Sequence, residues 1–149
     1  MNEWTIRLYV KFAAVSREAT ILRRIPATGR PGYRIFQSNE NTIGFRLDGG
    51  WSGSFTGVTR ILAGKWYELE IAYDGKAATL FIDGKPDGQM SMPELAHGNI
   101  NRGDVYVGGS PDGEPLDGWV DELGFYGRAL NAAETHARYE ARQRNSAGH

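Results

Sequence analysis

The chain has 149 residues, 40% hydrophobic and 23% charged, which suits one domain with a single sizeable core and excludes a disordered chain. It contains no cysteine, which excludes disulfides, thiolate metal centres and a thiol nucleophile. Its net charge of −1 gives no bulk attraction to nucleic acid, and no apolar run approaches the about 20 residues of a membrane-spanning helix.

From the N-terminus the strongest signal has period two. In residues 4–12, Trp4, Ile6, Leu8, Val10 and Phe12 alternate with Thr5, Arg7, Tyr9 and Lys11. Side chains of a strand point alternately to its two faces, so this is a half-buried strand, and a helix would scatter the same five groups around its circumference. Charges from Glu3 onward leave no signal-peptide pattern, which predicts a product that stays where it is made or one whose leader has been removed. Strands are expected at Thr20–Ile25 and Tyr33–Ser38, split by a loop of breakers over residues 26–32. Ile43, Phe45 and Leu47 mark the next strand.

Tyr67, Leu69, Ile71 and Tyr73 alternate with Glu68, Glu70 and Ala72, and Asp74-Gly75 turns the chain into a strand over Ala77–Ile82. Asp-Gly suits a hairpin because both residues tolerate positive φ. A second pair, Asp83-Gly84, ends that strand, and residues 89–104 read as a long irregular connection. Val105–Gly108 and Trp119–Tyr126 are the last strands, and Asn131 with Glu134 forms a capping box for a helix over Ala132–Arg142, with a frayed tail from Asn145. About nine short strands, 20 glycines and frequent turns predict an all-β sandwich or barrel.

Charge is unevenly spread. Residues 1–35 carry Arg7, Lys11, Arg17, Arg23, Arg24, Arg30 and Arg34 against Glu3 and Glu18, a balance of +5, and the remainder carries −6. Two readings follow: a solvated strand face, or a basic face for an acidic glycan or a partner.

Three stretches carry a family resemblance. Residues 62–75 (Leu-Ala-Gly-Lys-Trp-Tyr-Glu-Leu-Glu-Ile-Ala-Tyr-Asp-Gly), followed by a strand ending Phe81-Ile82-Asp83-Gly84, resemble the central hairpin of bacterial laminin-G-like domains. Val105-Tyr106-Val107-Gly108 is similar to that family's "L-x-I-G" strand, and residues 118–134, with Val120-Asp121-Glu122-Leu123 and Arg128-Ala129-Leu130, resemble its "G-x-I-D-E-V-x-I-Y-x-R-A-L-S-x-x-E" ending. The resemblance implies an antiparallel two-sheet jelly-roll sandwich of the concanavalin-A/laminin-G type, one domain over residues 1–149, with a short C-terminal helix. It favours an extracellular, cell-surface or virion setting. Family members usually carry one strand ahead of the one beginning at Trp4; without it a sheet edge is left open to strand addition by a partner or a second copy, unless another segment covers it.

The resemblance also frames the search for chemistry. Related glucanases place paired carboxylates on one strand in an "E-x-D-x-x-E" pattern. This chain has only Glu68-Leu69-Glu70 at a different family position, so a glycoside hydrolase is the least favoured reading. His97, His136 and His149 have no metal-ligand spacing. Asp121 matches an aspartate that in the superfamily often helps hold a structural calcium, with carbonyls of the Gly29–Gly32 loop as partners; the alternative is that Asp121 caps a turn. Asp112, Glu114 and Asp117 form a second acidic loop cluster, cation-binding or simply solvated.

Aromatic rings stack on the apolar C–H faces of sugars. Trp51 lies in a Gly/Ser-rich stretch ill-suited to a core, Tyr9 sits on the polar face of its strand, and Tyr33 precedes Arg34, so Tyr9, Tyr33, Arg34 and Trp51 are the expected ligand-binding residues. The resemblance assigns Trp66 and Trp119 to the core. The resulting expectation is a non-catalytic carbohydrate-binding, lectin-like module whose partner is a glycan or protein surface, with calcium as its cofactor. The alternative is a structural or interaction subunit of a larger assembly, such as a virion surface or tail component.

Overall fold

The computed structural model describes residues 3–15, 18–25, 32–48, 53–91, 104–109 and 115–147. They form ten strands and one helix: β1 (Trp4–Phe12), β2 (Ala19–Ile25), β3 (Gly32–Gln37), β4 (Ile43–Asp48), β5 (Gly53–Thr56), β6 (Trp66–Tyr73), β7 (Ala77–Ile82), β8 (Lys85–Ser91), β9 (Asp104–Val107), β10 (Gly118–Tyr126) and α1 (Ala132–Ala147). One sheet, A, has the order β10-β1-β6-β7-β8 and the other, B, the order β5-β4-β3-β2-β9, with neighbouring strands antiparallel among the described residues. This is the two-sheet jelly-roll sandwich that the family resemblance implied, and it settles the choice between sandwich and barrel that alternation left open.

The core is what the period-two pattern dictates. Trp4, Ile6, Leu8, Val10 and Phe12 of β1 face Leu22, Ile35, Phe45 and Leu47 of sheet B, all buried. Each such side chain contributes about 1.5–3 kcal/mol on leaving water. An aromatic cluster fills one end: Trp4 stacks on Tyr33 with centroids 6.2 Å apart and packs on Phe45 at 6.0 Å and Tyr73 at 5.6 Å. The β5/β8 side is closed by Asp87, whose carboxylate accepts from Val58 N at 3.0 Å, from Thr59 N at 3.2 Å and from the Thr59 hydroxyl.

Two strands escaped the sequence pattern. β5 has one apolar residue, Phe55, and β8 (Lys-Pro-Asp-Gly-Gln-Met-Ser) contains proline and glycine and no alternation. Both are edge strands, where proline is tolerated and one side stays wet. β8 also occupies the start of the stretch read as irregular from Gln89, and residues 92–103 lie outside the described residues. The turn before β8 has positive φ at both Asp83 (51°) and Gly84 (79°), the geometry of a type I′ hairpin.

The helix is capped as the sequence predicts. Asn131 Oδ1 accepts from Glu134 N at 2.8 Å, and Thr5 Oγ1 pins the approach by donating to Arg128 O at 2.7 Å and accepting from Leu130 N at 3.1 Å. It continues to Ala147, past the expected fraying point at Asn145. It lies on the outer face of sheet A, where Thr135 donates to Glu70, Arg138 to Tyr126 and Arg142 pairs with Glu122.

Candidate functional site

Four residues, Tyr9, Tyr33, Arg34 and Trp51, were expected from the sequence to bind the ligand, and packing separates the three that are described. Tyr33 shares its face with Ile35 and points between the sheets, fully buried in the aromatic cluster. It is a core residue and not part of a surface. Arg34 points to the outer side of sheet B but is only 2% exposed: Nε donates to Thr20 Oγ1 at 2.8 Å, Nη1 pairs with Glu18 at 3.1 Å, and the guanidinium stacks on Phe36. Tyr9 lies on the outer face of sheet A beneath Arg142, 4.7 Å from its ring centre. Tyr9 and Arg34 therefore sit on opposite sides of the sandwich with Tyr33 between them, so these three form no common surface; Trp51 lies outside the described residues.

The basic residues of the first 35 divide in the same way. Arg7 and Lys11 lie on sheet A, and Arg23 and Arg34 lie outward on sheet B, in register with Arg46. Arg24 reaches the sandwich edge, donating to the Tyr33 hydroxyl at 3.3 Å and stacking on Phe125. Arg17 and Arg30 lie outside the described residues. Among the described residues there is no single basic face.

Glu68 and Glu70, which alternation made look solvated, are sealed beneath α1 at 2% and 1% exposure. Glu68 accepts from Arg7 Nε at 2.7 Å and Tyr9 OH at 3.0 Å, and this burial beside a carboxylate pushes the Tyr9 phenol up to about 12. Glu70 accepts from the Thr135 hydroxyl, while its Oε1 is buried without a hydrogen bond; burial raises its pKa. Paired carboxylates that work on a glycosidic bond need a cleft with room for a sugar. These two face the underside of a helix.

Asp121 is exposed on β10, and its Oδ1 accepts from Glu122 N at 2.9 Å. Glu122 is committed to Arg142 and has φ 52°, beside a register skip between β1 and β10. Among the described residues no three His, Cys, Asp or Glu gather as a metal site, and the Gly29–Gly32 partners fall, except Gly32, outside them. The hydrogen bond described for Asp121 is thus a local one to the next backbone N–H of β10. Of the acidic loop cluster only Asp117 is described. His97 and His149 lie outside the described residues, and His136 is an exposed helix residue beside Glu140.

The feature that emerges is one that sequence reading put in the core. On the outer face of sheet A, Lys11 of β1 pairs in register with Trp119 of β10 on one side and Trp66 of β6 on the other. Trp66 is 45% exposed and Trp119 55%. The three form a row across adjacent strands, and two strand spacings put the tryptophan backbones about 10 Å apart. Lys11 Nζ stands 5.3 Å from the Trp119 ring centre, a cation–π contact. The segment leading into α1 is tied to Thr5 of β1 through Leu130 N, and Arg142 of α1 lies over Tyr9, two residues before Lys11. The signal was present: Trp66 has the same parity as Glu68 and Glu70, which points it away from the Tyr67–Leu69–Ile71 face.

Two five-stranded antiparallel sheets around an apolar core, with a helix sealed over one of them, define a jelly-roll β-sandwich domain. A laminin-G-like family model within the concanavalin A-like lectin/glucanase superfamily matches residues 1–136, and the chain belongs to that family. Solved structures with the same fold include the CBM40 module of a Ruminococcus gnavus IT-sialidase bound to α2,3 sialyllactose (TM-score 0.74, 17% identity, covering 93% of this chain and 83% of that one). The receptor-binding domain of botulinum neurotoxin D matches with TM-score 0.74 and 14% identity, covering 95% of this chain and 38% of that one. A candidate carbohydrate-binding protein from Bacteroides ovatus matches with TM-score 0.70 and 14% identity, covering 91% and 40%. The chain thus spans about two fifths of the length of the last two. No curated protein matches it. Among the described residues no helix is long and apolar enough to cross a membrane.

Proposed function

We propose that the chain is a non-catalytic carbohydrate-binding module whose ligand lies across Trp66, Lys11 and Trp119. The observation that carries this reading is the pair of half-exposed indoles held in register on either side of a lysine. A large aromatic ring left in water on a rigid strand forgoes burial energy, and a flat indole face offers a sugar ring a stacking surface. Lysine supplies up to three donors for hydroxyl or anionic groups between the rings. Because the row stands on three paired strands, the rings are positioned before the ligand arrives, which lowers the entropic cost of binding. The carbohydrate-binding CBM40 among the structures of similar fold supports the same reading.

A glycan array probed with the purified chain tests it: binding of defined glycans that is lost in Trp66→Ala and Trp119→Ala supports the reading, and binding unaffected by either substitution overturns it. Repeating the array with a chelator tests calcium. Loss of binding there, reproduced by Asp121→Asn, would support a calcium site at Asp121.

A second reading, an assembly subunit, has one observation in its favour. β10 is a nine-residue edge strand, with Phe125 of β10 and Val107 of the neighbouring edge β9 44% and 50% exposed. The bulge at Asp121–Glu122 blunts that edge against strand addition. A concentration-dependent rise in solution mass would favour this reading, and a monomer at all concentrations would oppose it.

A further inference from the structure

Trp119, Lys11 and Trp66 stand one on each of three adjacent strands, β10, β1 and β6, and pair in register. Neighbouring strands lie about 4.8 Å apart. That is close to the advance of one pyranose unit in an extended 1,4-linked chain, so the row matches one sugar per strand and sets the tryptophans two units apart. A single sugar ring cannot stack on both indoles.

Among the described residues the row is open at both ends. β10 is an edge strand of sheet A, and β7 pairs with β6 only from Leu69 onward, so no strand carries the row past Trp66. The pockets beside the start of α1 and at the β7–β8 turn have none of the three residues in their walls. Along its two sides the row is confined. Towards α1 the next residues on the same face are Tyr9, with Arg142 4.7 Å from its ring centre, and Glu68, 2% exposed. On the other side the strands end, where Ala13 N donates to Asp117 O at 2.8 Å and Gly64 N to Phe12 O at 2.7 Å. What remains is a strip one residue wide that runs across the strands. A site for a terminal sugar needs a wall that stops the chain, whereas an unbranched chain can pass over this strip and beyond it.

We propose that the strip reads an internal run of a linear polysaccharide, with two units stacked on Trp119 and Trp66 and the unit between them hydrogen-bonded to Lys11. The proposal rests on the tryptophan row being a glycan site, and it specifies the shape of that glycan. Lys11 Nζ, 5.3 Å from the Trp119 ring centre, braces that ring and carries its donors to the hydroxyls of the middle unit. Units two apart present their faces to one surface only where the chain is extended, as equatorial β-1,4 linkages make it. An α-1,4 chain coils and lifts its third unit away. The ligand class is therefore an extended β-1,4-linked chain, bound without use of either end.

The test titrates the full chain with β-1,4-linked oligosaccharides of glucose, xylose and N-acetylglucosamine, from one to six units, and with α-1,4-linked glucose oligosaccharides of the same lengths. Expected in at least one β-1,4 series is a rise in affinity of about tenfold from disaccharide to trisaccharide, as a second stacked ring is engaged, with little gain beyond. Capping the reducing end should leave binding unchanged. Trp66→Ala and Trp119→Ala should each abolish the step, and the ring-conserving Trp66→Tyr and Trp119→Tyr should retain it, with thermal melts showing that each variant is folded. A disaccharide bound as tightly as the trisaccharide, an α-1,4 trimer bound as tightly as its β-1,4 counterpart, or tryptophan-dependent binding confined to terminal or branched epitopes on the array would overturn the linear-chain reading and leave the tryptophan row standing. No glycan binding that depends on either tryptophan would overturn both.

Discussion

Lys11 and Trp119 lie 108 positions apart in the chain yet are direct cross-strand partners, with the ammonium 5.3 Å from the centre of the indole ring. Trp66 is partner to the same lysine from the other side. Both indoles are about half exposed, so truncating either forfeits only part of the burial of a large ring. Trp66→Ala and Trp119→Ala are expected to cost about 1–3 kcal/mol of stability, leaving the fold intact, while reducing glycan affinity at least tenfold. Paired thermal melts and titrations check both halves of that statement.

Arg7 and Glu68 form an ion pair sealed by the helix, with the Arg7 side chain 14% exposed and that of Glu68 1%. Arg7→Met strands a buried carboxylate and is expected to cost about 3–5 kcal/mol. Arg7→Met combined with Glu68→Leu leaves no charge unpaired and should recover much of that loss. Urea denaturation of the two variants gives the comparison, and a double variant no better than the single would contradict it.

Glu70 sets a pH dependence. Burial pushes its carboxyl above the ordinary value of 4.5; the Thr135 hydroxyl opposes this, the Glu68 charge adds to it, and Arg7 and Arg138 oppose it. An acid whose folded pKa is raised contributes stability that is complete below the unfolded pKa and is lost as pH rises through the folded one. Glu70→Gln has no proton to lose, so its stability relative to the wild type should rise with pH above about 4.5 and level off once the wild-type carboxyl is ionised. Melting both proteins from pH 4 to pH 8 tests the sign; parallel curves would contradict it.

Gly44 is a packing requirement on the outer face of sheet B. A Cβ built there lies 2.4 Å from Phe36 Cζ, and the Phe36 ring in turn carries the Arg34 guanidinium 4.9 Å from its centre. Gly44→Ala is expected to destabilise by about 1–3 kcal/mol through overpacking. Shrinking the ring with Phe36→Leu should reduce that cost, and a double-mutant cycle showing no coupling would refute the contact.

The fold was largely legible because a sandwich writes its inward face into every second residue. β1, β6 and β7 are unmistakable, and the Asn131–Glu134 box marks the helix start. β5 and β8 were not legible, since short edge strands bury one face weakly and carry no alternation. The outer face of sheet A misled for a different reason. Glu68, Glu70, Arg7 and Tyr9 satisfy one another and Thr135 beneath α1, and polarity in a sequence does not distinguish a solvated face from a sealed polar layer. Tyr33 was misplaced because its neighbour Arg34 drew attention to the wrong side of β3. Trp66 and Trp119 were misplaced because family position outweighed the parity of their own strands.

The chain has four tryptophans, each with one indole N–H, and their side-chain resonances report where a ligand lies. The most direct measurement is a titration of the 15N-labelled chain with a glycan found on the array, followed by nuclear magnetic resonance at those four signals. Large shifts at Trp66 and Trp119, with the buried Trp4 unmoved, are the predicted result. Shifts confined to Trp51, or none at Trp66 and Trp119 at saturation, would contradict the assignment of the ligand to this row.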